Sequence, residues 1–202
     1  MKTEAWEQLK KAFAIEAQAL NLMGDFIEKH RDGFERAVAV LSRAPRIGAS
    51  GCGHTGIACR HFAHLMCCIE RPARFISPAE ASHGASGFLQ QGDVMLLASR
   101  GGKTAELLPI LDICRHKRVT VICLTENIGS PLARGADIIL PLSVTREVDK
   151  YNTQGTTSFA VFCAVFDALQ AALIEETGYR NEQFALIHPG GAVGERLKGT
   201  LC

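Results

Sequence analysis

The chain begins with two stretches of helical periodicity. Apolar side chains recur every three or four residues over 4–29 and again over about 33–42, which is the spacing of one helix face. Pro45 then interrupts the pattern before the first short apolar run. We therefore predict amino-terminal helices over residues 1–45, with two open roles: they cover the sheet of their own chain, or they pack against a partner subunit in an oligomer.

Short apolar runs that alternate with helical segments fill the rest of the chain. They predict strands at 46–50, 73–77, 93–98, 119–124 and 137–141. Helices are predicted at about 55–68, at about 104–115, from Pro131, at about 156–177 and in the closing segment. This alternation is typical of parallel strands joined by right-handed crossovers. The predicted fold class is α/β: a doubly wound, five-stranded parallel sheet flanked by helices, with a long amino-terminal helix.

Two of the predicted strands end in glycine-rich turns that lead directly into helices. Arg46–Thr55 reads RIGASGCGHT, and Val94–Thr104 reads VMLLASRGGKT. Such a turn aims free backbone N–H groups and the positive end of a helix at one point, where an anion such as phosphate binds. Two of them can lie side by side at the carboxyl edge of a parallel sheet. A plain connection stays an alternative, because neither turn has the full GxGxxG or P-loop spacing.

Composition narrows the classes of protein to consider. The length of 202 residues, with 47% hydrophobic and 21% charged residues, suits one globular domain with a full core. A net charge of +1 and 6% aromatic residues give no indication of a nucleic-acid or membrane surface. We see no secretory signal, and no apolar run that approaches the ~20 residues of a membrane span. With its eight cysteines read as reduced thiols, we expect a cytoplasmic protein.

A dense group of thiols and imidazoles follows the first glycine turn and raises the possibility of a metal site. Its members are Cys52, His54, Cys59, His61, His64, Cys67 and Cys68. No CxxC pair is present, and a packed helix is a place where cysteine behaves as a small hydrophobic residue. We therefore predict that the chain holds no metal.

From about residue 46 to residue 197 the chain resembles the sugar isomerase (SIS) domain, and more narrowly the isomerase domain of arabinose-5-phosphate isomerases. The resemblance is carried by SGCGHTG, PAEASHGASG, SRGGKTAEL, TENIGSPLARGADIIL and, most specifically, FALIHPGGAVGERL. We assign 46–202 to this domain, without the regulatory domain pair that usually follows it. The resemblance implies cofactor-free aldose–ketose isomerisation of a sugar phosphate through an enediolate. It also implies a homodimer or homotetramer that shares sites between subunits.

The resemblance also implies the site residues. Glu147 is the expected general base, His188 is expected to transfer protons in a neighbouring subunit's site, and His83 is expected near the sugar. The expected phosphate- and sugar-binding residues are Ser50, Gly51, Cys52, His54, Ser99, Arg100, Gly101, Lys103, Thr104, Thr156 and Thr157. Structural roles stay open for some of these positions. The threonines also suit helix caps, and Glu147 suits a solvated surface.

Two positions depart from the family pattern. The lysine of the first turn is replaced by Gly51, and the glutamate of the third loop is replaced by Lys103, so the charge there is reversed. Asp149, Lys150 and Tyr151 occupy a region where the family has a Cys-Pro-Leu stretch. The sugar phosphate is therefore left open, and so is an alternative function as a phosphosugar-binding sensor without turnover.

Overall fold

The computed structural model describes residues 1–197. The strands are β1 (Ile47–Ser50), β2 (Ala73–Phe75), β3 (Val94–Ala98), β4 (Thr120–Thr125) and β5 (Ile138–Pro141). The helices are α1 (Thr3–Lys29), α2 (Arg31–Arg43), α3 (Gly53–Cys68), α4 (Pro78–Ala81), α5 (Leu108–Lys117), α6 (Pro131–Gly135), α7 (Thr157–Thr177), α8 (Asn181–Ile187) and α9 (Gly191–Leu197). Short 3-10 turns lie at Ala85–Phe88 and Ala105–Leu107.

Within the described residues the five strands form one parallel sheet in the order β2-β1-β3-β4-β5. The chain moves outward from β1 to β2, returns to the other side of β1 as β3, and then continues outward. Strand order therefore reverses between β1 and β3, and the carboxyl ends of these two strands border the crevice where ligands collect in doubly wound folds. The predicted fold class is confirmed.

The two faces of the sheet are buried under different helices. Alternate side chains of β3 point to opposite faces, so Leu96 packs on the side of α3 and α7, whereas Leu97 packs on the side of α5 and α6. All five residues of β3 are buried, because the strand is covered on both sides. This two-sided burial holds the carboxyl end of β3, and the turn that follows it, in a fixed position.

The amino-terminal helices cover the sheet and also leave an apolar surface exposed. Ala37 and Leu41 of α2, and Ala19 and Met23 of α1, belong to the core on the side of α7. The first turns of α1 differ, because they expose large apolar side chains. These are Trp6, Leu9 and Phe13, with 49%, 48% and 72% of their surface exposed. The packing role is thus present in the chain, and the oligomerisation role stays a prediction that this exposed stretch supports.

Helix α7 is the central packing helix of the domain. It contacts α1, α2 and α3, and it buries Val161, Phe162, Val165 and Phe166. Among the described residues it is the one helix long and apolar enough to cross a membrane by length and composition, so the expectation that no run approaches that length was wrong. Such a helix is weak evidence for a membrane span, since a core helix passes the same test.

Element boundaries differ from the predictions where short turns precede helices. Helix α3 begins at Gly53 rather than at about 55, so it starts inside the glycine turn. The helix predicted from about 104 begins as a 3-10 turn, and α5 starts at Leu108 with Pro109 in its first turn. Proline favours that position because its missing N–H would have no intrahelical partner there.

Candidate active site

The turn after β3 presents unpaired backbone amides beside paired hydroxyl groups. The Oγ of Ser99 lies 2.8 Å from Oγ1 of Thr104. The amide of Gly102 donates to both the carbonyl and the Oγ of Ser99, each at 3.1 Å. Within the described residues the amides of Gly101, Lys103 and Thr104 donate no hydrogen bond. A concave turn with free amides is suited to bind phosphate oxygens.

This turn requires a glycine at position 102. Gly102 has a φ of +63°, and a Cβ there would overlap the Oγ of Ser130 at the start of α6. Ser130 is itself buried, and its Oγ accepts the Ala133 amide at 3.2 Å as the cap of α6. The turn after β3 is thus packed directly on a helix cap, which fixes its shape before any ligand binds.

Arg100 anchors the turn from outside. It was expected to offer charge to the phosphate, but its Nε donates to Glu126 at 2.9 Å and an Nη donates to Glu147 at 2.6 Å. The second Nη lies 3.3 Å from the Val144 carbonyl. Because protein groups accept hydrogen bonds from all three guanidinium nitrogens, these contacts favour a positioning role for Arg100 over direct binding of phosphate. Lys103 instead has an exposed ammonium without an ion-pair partner in the described part of the chain.

Glu147 is buried and fully engaged rather than solvated. Its side chain is 2% exposed, one oxygen binds Arg100, and the other accepts the amides of Thr156 and Ser158 at 2.8 and 3.1 Å. Burial alone would raise the pKa of Glu147. The hydrogen bonds from Ser158 and Thr156 and the charge of Arg100 outweigh this effect, so the pKa lies below its ordinary value. A carboxylate in this state is a weak base, and these contacts disfavour the general-base role expected of Glu147.

The carboxylate of Glu147 also caps α7. The hydroxyl of Thr156, the residue before this helix, makes no capping bond to it and instead donates to Glu147 at 3.2 Å. Thr157 is 0% exposed, and its Oγ1 has no partner within the described residues. An internal anion therefore already occupies the amino terminus of α7, where the resemblance places phosphate-binding threonines.

The turn after β1 is open by comparison. Cys52 precedes α3 and makes no side-chain cap, and the first turn of α3 contains no acidic residue. A Cβ on Gly51 would lie 3.1 Å from the Ala98 carbonyl at the end of β3, so this backbone is closely packed on the neighbouring turn. Ser50 is 0% exposed with an unpaired Oγ, and it does not reach the surface. The free helix terminus and the turn after β3 thus lie at one edge of the sheet.

His54 connects the turn after β1 to the segment before α7. It is exposed, and its ring meets that of Phe159 edge-on at 6.2 Å. A Cβ on Gly155 would lie 3.3 Å from Nδ1 of His54, so the backbone before α7 passes close to this ring. The structure therefore brings together the predicted residues of three loops, namely those after β1, after β3 and before α7.

The other two predicted histidines lie elsewhere. His83 is exposed in the turn after α4. His188 lines a cavity of about 600 Å³ with His64 and Tyr179, at the far end of α3. His64 is eleven residues beyond Gly53, roughly 16 Å along the helix at 1.5 Å per residue. Within one chain His188 is thus remote from the turns, and its Nδ1 is buried without a partner among the described residues.

The thiols and imidazoles near α3 do not converge. His61 binds Asp167 at 2.9 Å, while His64 lies 3.6 Å from the thiol of Cys68. Among residues 1–197, no group of three cysteine, histidine or acidic side chains is arranged to hold a metal ion. Burial raises the pKa of the Cys59 thiol, as expected for a cysteine that packs as a small apolar side chain.

A cleft of about 420 Å³ adjoins the first turn, and two charged residues that the sequence analysis did not select line it. These are Arg60 of α3 and Glu106 of the 3-10 turn after Thr104. Glu106 lies three residues after Lys103. An acidic residue at the start of a helix that follows a glycine-rich turn could have marked it in the sequence as a candidate site residue. Arg60 gave no signal, because its position in the cleft depends on how α3 packs beside β2.

Comparisons with known proteins agree with this architecture. A family model described as the SIS domain matches residues 40–172. The arabinose 5-phosphate isomerase KdsD of Pseudomonas aeruginosa is 35% identical over 184 residues, which are 91% of this chain and 54% of that protein. KdsD of Yersinia pestis is 32% identical over 190 residues, 93% of this chain and 57% of that protein. The chain spans about half the length of the curated relatives it matches.

Solved structures extend the comparison. A candidate sugar-phosphate isomerase of Listeria monocytogenes has a TM-score of 0.87 and 35% identity, covering 94% of this chain and 100% of that one. A protein of E. coli CFT073, solved in complex with A5P, has a TM-score of 0.82 and 28% identity, covering 94% and 100%. With the family model matching more than half of its length, the chain belongs to the SIS domain family.

Proposed function

We propose that this protein is a cofactor-independent sugar-phosphate isomerase that interconverts an aldose phosphate and a ketose phosphate through an enediolate. The observation that carries the proposal is the turn after β3, whose free amides at Gly101, Lys103 and Thr104 lie beside the open amino terminus of α3. The names of the KdsD relatives and the A5P complex of the E. coli protein support a sugar phosphate as the ligand.

The phosphate serves as the handle of the substrate. The free amides, the hydroxyls of Ser99 and Thr104 and the ammonium of Lys103 are proposed to bind its oxygens. Gly51, Cys52 and His54 of the first turn then border the sugar. Binding energy at the phosphate holds the reacting carbons in place, as expected when a non-reacting group supplies the affinity. Glu147 acts on this site through Arg100 and is proposed as a positioning residue.

The assembly and the location of the protein belong to the proposal as well. We propose a homodimer or homotetramer, supported by the exposed apolar stretch of α1 and by the distance of His188 from the turns of its own chain. In such an assembly His188 would act in the neighbouring subunit's site, and His83 would approach the sugar from the surface. The seven cysteines of the described residues are free thiols, which supports the cytoplasm as the compartment.

Hydrogen exchange tests the reaction directly. The purified protein is incubated in deuterated water with five- and six-carbon aldose and ketose phosphates, including arabinose 5-phosphate, and proton NMR follows the carbon next to the carbonyl. Deuterium incorporation with conversion to the isomer is the expected result. Tight binding without exchange across the panel would instead establish the sensor function, and absence of binding would refute both.

Mixed oligomers test the shared site. His188→Gln and Gly102→Ala are each expected to be inactive, the first without its imidazole and the second with a distorted turn. If sites combine residues of two subunits, mixing the variants restores about a quarter of wild-type activity, because half of randomly mixed dimers are heterodimers with one intact site. No restoration, or a monomer by light scattering, would contradict the proposed role of His188.

A further inference from the structure

The cleft beside the turn after β1 is lined by a cation and an anion, Arg60 and Glu106. Gly51, Cys52 and Gly53 form one side of it, and the start of α4 forms another. Arg60 and Glu106 line the same cleft, yet no ion pair joins them within residues 1–197. The two charges are therefore apart from each other, at the edge of the sheet where the free amino terminus of α3 and the turn after β3 meet.

Arg60 is held in place by an aromatic ring. Its guanidinium lies over the ring of Phe75 at 4.0 Å from the centroid, and within the described residues it has no carboxylate partner. Stacking orients the planar group without using its N–H donors, which stay available to a ligand. The cleft thus supplies a positive charge near Gly51, although Gly51 itself has no side chain.

Glu106 is a free carboxylate on a fixed backbone. It lies in the 3-10 turn Ala105–Leu107, is exposed, and accepts no hydrogen bond from the described residues. The next residue, Leu107, is fully buried and ties this turn to the core. The pKa of the Cys52 thiol is raised, first by burial and then by the negative charge of Glu106, consistent with a carboxylate that faces the first turn.

A general base needs an unoccupied carboxylate within reach of the substrate carbon. Glu147 is 2% exposed, Arg100 binds one of its oxygens and the first turn of α7 binds the other, so a substrate carbon has little access to it and the charge of Arg100 opposes its protonation. Glu106 has neither constraint. It also follows Thr104 by two residues, so a phosphate in the turn after β3 would place the carbon chain of the substrate toward this cleft.

We propose that Glu106 is the carboxylate that transfers the proton in the isomerisation, and that Arg60 stabilises the negative oxygen of the enediolate. This inference rests on the proposed isomerase function. Glu106 takes the proton from the carbon next to the carbonyl, and the C–H electron pair forms the new C=C bond while negative charge moves to the carbonyl oxygen facing Arg60. The neighbouring hydroxyl proton passes to that oxygen, and Glu106 returns its proton to the former carbonyl carbon. No external oxidant or reductant is needed.

Carboxyl-to-amide substitution separates this role from folding and from phosphate binding. Glu106→Gln keeps the size of the side chain and removes the base, so deuterium exchange and kcat are expected to fall by about 10²–10⁴-fold. The Kd of inorganic phosphate, measured by calorimetry, should change by less than about twofold, because the turn after β3 is intact in this variant. Glu80→Gln is the matched control, since Glu80 is exposed on α4 and its side chain does not line the cleft.

Arg60→Met gives a second, independent measurement. Loss of one donor to a developing oxyanion costs about 10²–10³-fold in kcat, and here too the Kd of inorganic phosphate should stay unchanged. Thermal unfolding of each variant reports whether it is folded, and Glu106→Asp, which keeps the carboxylate, should recover part of the exchange rate lost in Glu106→Gln.

The outcomes distinguish the two proposals. If wild-type protein exchanges deuterium and Glu106→Gln exchanges at the same rate, the role of Glu106 is refuted while the isomerase function stands. If only Glu147→Gln loses exchange with an unchanged Kd of inorganic phosphate, the base is Glu147 and this inference is wrong. If wild-type protein exchanges deuterium with no sugar phosphate of the panel, the isomerase function falls, and the proposed roles of Glu106 and Arg60 fall with it.

Discussion

Replacing Glu147 by glutamine tests the contact that connects two of the site loops. In the wild-type protein this side chain joins Arg100 of the turn after β3 to the first turn of α7. Glutamine has nearly the same size and keeps one oxygen for the helix amides. The substitution removes the negative charge, and the new NH₂ group points either toward Arg100 or toward the amides of α7. In either orientation, buried N–H donors face other N–H donors and lose their acceptor.

The magnitude follows from burial. Removing one partner of a fully buried ion pair costs about 3–5 kcal/mol. Arg100 is 35% exposed and keeps Glu126 as a second partner, so solvent and Glu126 reduce the loss. We expect a destabilisation of about 2–3 kcal/mol, at or below the lower end of that range. For a chain of this length the unfolding entropy is roughly 0.4 kcal/mol per degree, so the midpoint should fall by about 5–7 °C.

Thermal and denaturant unfolding, followed by circular dichroism, measure this change. Glu126→Gln is the matched control, because Glu126 binds the same guanidinium with 35% of its side chain exposed and should cost at most about 1 kcal/mol. If both substitutions have equal effects, or if Glu147→Gln is within about 0.5 kcal/mol of wild type, the buried pair does not stabilise the protein as argued.

The effect of Glu147→Gln on the free energy of unfolding should depend on pH. The folded-state pKa of Glu147 lies below its ordinary value of 4.5, so its contribution is present above that value and is lost as pH falls through the folded pKa. The difference in stability between wild type and Glu147→Gln should therefore shrink as the solution is acidified below about pH 4.5. A difference that stays constant down to pH 3 would contradict the ionic origin of the effect.

Three further substitutions test separate parts of the site. Gly102→Ala should destabilise the protein by about 2–4 kcal/mol in urea unfolding, because it combines a positive φ with overlap on Ser130; an unchanged midpoint would show that the turn can shift. Lys103→Met should weaken binding of inorganic phosphate about tenfold in calorimetry while leaving stability within about 0.5 kcal/mol, and unchanged affinity would exclude the ammonium from the phosphate site. Thr157→Val should stabilise the protein by up to about 1 kcal/mol, since it removes a buried, unpaired hydroxyl, whereas a loss of stability would show that the hydroxyl has a partner.

The sequence alone determined the architecture. Short apolar runs and helices of period 3.6 are local properties, so they located the five strands and the long helices to within a few residues. The glycine turns were found for the same reason, because the residues that permit such turns are consecutive in the chain. The family resemblance added the expected chemistry and most of the loop residues that meet at the carboxyl edge of the sheet.

Only the tertiary structure decided which polar groups are free. Glu147 and Arg100 are 47 residues apart, and their pairing at 2.6 Å occupies the two groups that the resemblance offers as a base and as a phosphate ligand. The local sequence marks Glu106 as an acidic residue at the start of a helix, but nothing in it shows that Glu106 and Arg60 face one cleft. The physical reason is that hydrogen-bond occupancy and burial depend on contacts between distant segments, whereas helix and strand propensity depends on neighbours in the chain.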